Sequence, residues 1–84
     1  MGARTVEEVA AALVAFINAE LMAPGHSLAP GDRFDAAGID SMALLKILLF
    51  VERQHGFWVP DEDLVEPHIS SAVELARYIC RHGG

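Results

Sequence analysis

No stretch constrains this chain more than Gly38-Ile39-Asp40-Ser41-Met42, which opens an apolar run from Met42 to Val51 broken only by Lys46. A glycine closes a long loop, and an acid and a serine then stand directly before the run. Asp40 or Ser41 is suited to cap a helix here, because either side chain can accept a hydrogen bond from an orphan N–H of the first turn. The serine hydroxyl then lies at the positive end of the helix dipole, beside free N–H groups, where an attached phosphate is favoured. The expected helix covers about 41–55 and stops at Gly56. It is apolar around most of its circumference, and such a helix is either deeply buried or faces a partner. A chain of 84 residues cannot wrap one helix on every side, so part of this surface is expected to be an exposed contact patch. Positions four apart share a face, which aligns Leu45 and Leu49 with Ser41. A wide apolar stripe is also ordinary for a packed helix, so the same two leucines suit a core.

Three further helices are expected. Thr5-Val6-Glu7-Glu8 reads as a capping box. Behind it, Val6, Val9, Leu13, Phe16, Ile17 and Leu21 recur at three- and four-residue spacing, which predicts a helix over about 5–22, ended by Pro24-Gly25. The connection from Ala23 to Ile39 is long for a compact domain, and Leu28, Phe34 and Ile39 are its expected anchors in the core. In Phe57-Trp58-Val59, alternation turns Phe57 and Val59 inward and Trp58 outward. Pro60 and the acids after it suit a short third helix over about 61–66, limited by Pro67. A last helix is expected over about 70–82, with Val73, Ala76, Ile79 and Cys80 as its apolar stripe and Leu75 and Tyr78 beside it. The fold class is therefore all-α: a four-helix bundle in one domain spanning 1–84, with a long first loop and a short third helix.

Composition excludes several function classes. Twelve acids against six bases leave a net charge of −6, which argues against a nucleic-acid backbone as partner. Cys80 is the only cysteine, so no internal disulfide can form; it reads as a small buried hydrophobe. His26, His55, His68 and His82 show no metal-ligand spacing, and no metal site is expected. The apolar run Val9 to Ile17 is too short to span a bilayer, and Glu7 and Glu8 before it disfavour a secretory segment. Val6 stands where a myristoylation signal wants Ser or Thr. A soluble, cytoplasmic protein without membrane insertion is expected. Catalysis is not: no base is placed to activate Ser41, and neither a Gly-x-Ser-x-Gly elbow nor a glycine-rich phosphate loop is present.

The stretch from about Leu28 to Leu64, and more loosely to Arg81, resembles the acyl and peptidyl carrier proteins. The likeness is carried by Phe34, by Gly38-Ile39-Asp40-Ser41 with the helix after it, and by Val59-Pro60-Asp61-Glu62-Asp63-Leu64. Met42 stands where leucine is commonest in that family, a swap that conserves volume and apolarity. The resemblance implies a 4′-phosphopantetheine arm, taken from coenzyme A by a phosphopantetheinyl transferase and joined to Ser41, with Asp40 helping to present the serine. It implies further partners: an acyl- or aminoacyl-loading ligase, and synthase or transferase enzymes downstream. A monomer is expected of a carrier that visits several enzymes. The family's fatty-acid carriers usually have a strongly acidic second helix. Here that helix holds Lys46, Glu52 and Arg53, with Ala43 where an acid is frequent. The expected docking face is accordingly more hydrophobic, with Met42, Leu45, Lys46 and Leu49 as candidate partner contacts, and the pathway is a specialised fatty-acid, polyketide or related one. Two other readings use the same residues: an aminoacyl or peptidyl carrier, and a helical interaction module that carries no arm.

Overall fold

The computed structural model describes residues 5–65 and 69–82. Helix α1 spans Val6–Glu20, α2 spans Ser41–His55 and α3 spans Ala72–His82. Among the described residues there is no strand. The expected third helix is a correction: it is a single 3₁₀ turn, Asp61–Asp63, closed by the Asp63 N–H donating to the Pro60 carbonyl at 2.9 Å. Leu64, packed against the core, already lies outside the turn, and Glu66 at the far end of the expected helix lies outside the described residues. The all-α class stands with three α-helices among the described residues rather than four.

Local chemistry sets the helix ends. Thr5 Oγ1 accepts from the Glu8 N–H and Glu8 Oε1 accepts from the Thr5 N–H, both at 3.1 Å, so the capping box at α1 is complete. At the end of α2, Gly56 takes φ +67° and its N–H donates to the Glu52 carbonyl at 2.8 Å. That left-handed cap is strained for any residue with a Cβ. The last helix begins two residues later than expected because Ser71, not Ser70, caps it: Ser71 Oγ accepts from the Glu74 N–H at 3.2 Å. The Ser70 carbonyl is occupied elsewhere, accepting from the Phe34 N–H at 2.8 Å.

The core gathers Val9, Leu13 and Ile17 from α1, Ile47, Leu48 and Val51 from α2, and Leu75, Ala76 and Ile79 from α3, with Val59 beneath the second connection. The α3 stripe is rotated from its expected position. Ala72, Leu75, Ala76, Tyr78 and Ile79 are buried, while Val73 and Cys80 are half-buried at its edges. Phe57 and Val59 turn inward and Trp58 stays exposed, as alternation predicts. Helix α1 packs mainly on α3 and more sparsely on α2.

The long connection is held by more than its apolar anchors. Leu28 and Phe34 are buried and Ile39 is half-buried against the core. Asn18 on α1 also clamps the loop backbone: its Oδ1 accepts from the Leu28 N–H at 2.7 Å and its Nδ2 donates to the Leu28 carbonyl at 3.3 Å. The Pro30 carbonyl accepts from the Val73 N–H at 3.0 Å, satisfying an orphan donor in the first turn of α3. The loop is thereby tied to α1 and to the start of α3, which fixes where α2 begins.

Tyr78 joins the 3₁₀ turn to α3 by donating its hydroxyl hydrogen bond to Asp63 Oδ2. Burial, then the hydrogen bond to Asp63 and the negative charges of Asp63 and Glu62, push the phenol up to about 12. The folded state thus holds this proton more tightly than the unfolded chain. Its stabilising contribution is complete below the unfolded value of about 10 and is lost as pH rises towards 12. Tyr78 is the only tyrosine, so tyrosinate absorbance reports it alone. The native protein is expected to titrate near 12 and the denatured protein near 10; native titration at the ordinary value would break this assignment.

Candidate functional site

The site begins in the turn before α2. The Phe34 carbonyl accepts from the N–H groups of Ala37 at 3.1 Å and Ile39 at 2.9 Å, and Gly38 passes through φ +85° to close this turn. Buried Phe34 holds the turn from below. The chain then enters α2 with Asp40 as its cap, in extended conformation at φ −91° and ψ −173°.

Of the two possible caps, the structure selects Asp40. Its Oδ1 accepts from the Ala43 N–H at 2.9 Å, and its carbonyl accepts from the Leu44 N–H at 2.8 Å. Ser41 is therefore the first residue of the helix proper, and it is exposed. The N–H groups of Ser41 and Met42 belong to the first turn, where the helix offers no acceptor. A phosphodiester on Ser41 Oγ would lie beside these donors and the positive end of the α2 dipole. This donor set suits an attached phosphate.

A cleft of about 240 Å³ opens beside the serine. Phe34, Ile39, Leu44 and Ile69 form its apolar walls, and Asp35 and Asp40 stand on its rim. Arg33 grips Asp35 with two bonds, Nε to Oδ1 at 3.1 Å and Nη2 to Oδ2 at 3.0 Å. That guanidinium, with help from the Ala36 N–H, holds the Asp35 carboxyl below its ordinary range.

The face of α2 that follows the serine is wet. Met42 is 64% exposed, Leu45 43% and Leu49 46%, and Lys46 is exposed between them. Ile47, Leu48 and Val51 take the opposite face into the core. The structure thus brings Asp40, Ser41, Met42, Leu45, Lys46 and Leu49 together as one cap and one continuous strip. The exposure of Val65, at 49%, was not anticipated from the sequence. Asn18 was also missed; the available signal was a polar, poor helix former inside an otherwise apolar and alanine-rich helix.

Among the described residues no helix is long and apolar enough to cross a membrane. A family model described as "Phosphopantetheine attachment site" matches residues 11–79, most of the chain. No curated protein and no solved structure matches it.

Proposed function

Since this chain belongs to the phosphopantetheine attachment-site family, that of the acyl and peptidyl carrier proteins, we propose that Ser41 is its point of attachment and that the protein presents acyl intermediates to partner enzymes. The family carries 4′-phosphopantetheine covalently. The observation that supports Ser41 is its position: an exposed hydroxyl on the first residue of α2, directly after the capping Asp40. Once attached, the group supplies a thiol on a long arm, to which cargo is held as a thioester. Asp40 fixes the helix start by its hydrogen bond to Ala43, and so fixes where the serine stands. The orphan N–H groups of the first turn favour the phosphate's charge. The protein's role in this reading is attachment, presentation and recognition rather than catalysis.

The partners in this reading are a phosphopantetheinyl transferase, a loading ligase and enzymes that use the cargo. The near-neutral α2 and its exposed leucines favour a specialised fatty-acid, polyketide or related pathway over general fatty-acid synthesis. The test is incubation with coenzyme A and a promiscuous phosphopantetheinyl transferase, followed by intact-mass and peptide mass spectrometry. A gain of one phosphopantetheinyl group, mapped to the peptide holding Ser41, is expected. No gain under conditions that load a control carrier would leave only a helical interaction module.

The strip beside the serine gives a second expectation. Leu45→Glu or Leu49→Glu should lower the rate of loading or cargo transfer by about tenfold or more, as for an apolar anchor at an interface. Circular dichroism should stay helical, because neither side chain is in the core. Unfolding of both variants would place them in the core instead.

A further inference from the structure

Helices α1 and α2 do not close against each other along their length. An open cleft of about 330 Å³ runs between them, away from the residues around Ser41. Its floor is the stacked pair Phe16 and Phe50, with ring centroids 4.4 Å apart and planes 16° from parallel. Both rings are half-buried, and Leu21 and exposed Leu49 continue the apolar lining. The sparse packing of α1 on α2 is what leaves this seam open.

Two cations border the cleft, Lys46 and Arg53, both exposed on α2. They stand out in a chain of net charge −6. Arg33 and Arg77 are paired with Asp35 and Glu74, but among the described residues no carboxylate lies in ion-pair range of Lys46 or Arg53. Glu20 is the single acid in the lining, so the cleft carries one net positive charge. The two cations stand at i and i+7 in sequence, two turns of helix, which places them about 10 Å apart along the α2 axis.

From this arrangement we infer that the α1–α2 cleft docks an acidic amphipathic helix of a partner protein, with an apolar side chain on the Phe16–Phe50 floor and two carboxylates, two turns apart, meeting Lys46 and Arg53. The spacing selects the occupant. Two carboxylates on one helix at i and i+7 repeat the cation spacing, whereas a ligand with one carboxylate can meet only one cation. The open cleft suits a segment laid along it. The exposed strip Met42–Leu45–Leu49 runs from the serine along α2, and Leu49 at its far end belongs to the cleft lining. The inference rests on the carrier reading only for what kind of protein the visitor is; the cleft itself does not depend on loading.

The test uses the unloaded protein, labelled with ¹⁵N, and a stapled helical peptide with glutamates at i and i+7 and leucines at i+3 and i+4. Saturable amide shifts are expected at Phe16, Lys46, Leu49, Phe50 and Arg53. Affinity should fall as salt rises, and by about tenfold in Lys46→Gln/Arg53→Gln. A matching peptide with lysines for glutamates should bind more weakly. Equal binding of both peptides, shifts centred elsewhere, or no saturable shift would overturn the inference. Loading of the same sample at Ser41 is measured separately by mass, so failure here and failure of the carrier reading are told apart.

Discussion

Ser41→Ala is expected to gain no mass with coenzyme A and a phosphopantetheinyl transferase, under conditions that load the parent chain fully, while keeping its helical spectrum and its stability. The loss is complete because the side-chain oxygen is the atom to be joined. Preservation of the fold follows from the division of labour at the start of α2. Asp40 makes the capping bond to Ala43, and exposed Ser41 contributes no cap. Surface changes of this kind shift stability by no more than about 0.5 kcal/mol. Asp40→Ala is the informative contrast: it removes the cap and should cost about 0.5–2 kcal/mol, with the hydroxyl still present. Full loading of Ser41→Ala would move the attachment point to another residue and refute the proposed site.

Leu48→Ala should lower stability by about 2–5 kcal/mol, whereas Leu49→Ala, one residue on, should change it by less than about 1 kcal/mol. Leu48 is 4% exposed and packs in the core; Leu49 is 46% exposed and borders the α1–α2 cleft. For a domain whose whole stability is about 5–15 kcal/mol, the first change is severe. It should lower the melting temperature by about 10 °C or more. Denaturant midpoints of the two variants, measured side by side, decide the matter. Similar losses in both would mean that α2 is buried all round and that its outer face is not free to meet a partner.

This pair of neighbours marks where reading the chain residue by residue stops working. The apolar run of α2 and its stop at Gly56 were legible, since both follow from local chemistry: side-chain type, and a glycine at positive φ. The capping box at Thr5 was legible for the same reason, as was the outward turn of Trp58. The α3 stripe was misplaced because several apolar residues on one helix allow more than one face, and the neighbours choose. Leu75 and Tyr78 are buried where Val73 and Cys80 were expected. The short third helix failed for another reason. Pro60 and the acids after it suit the opening of a helix, but suitability for a first turn does not supply further turns; the chain closes one 3₁₀ turn, which Tyr78 holds through Asp63.

The order of elements, the start of α2 and the identity of Ser41 as the candidate hydroxyl are all written in short-range pattern, where a cap, a turn or a period involves residues only a few positions apart. Which half of the apolar α2 meets water is not written there. It depends on α1 packing chiefly on α3, and on a loop whose Leu28 is held by Asn18 from ten positions away. Burial is a property of the whole packed assembly, and contacts between distant residues leave no period in the chain. That long-range packing left Leu45 and Leu49 exposed beside the serine and opened the cleft bordered by Lys46 and Arg53.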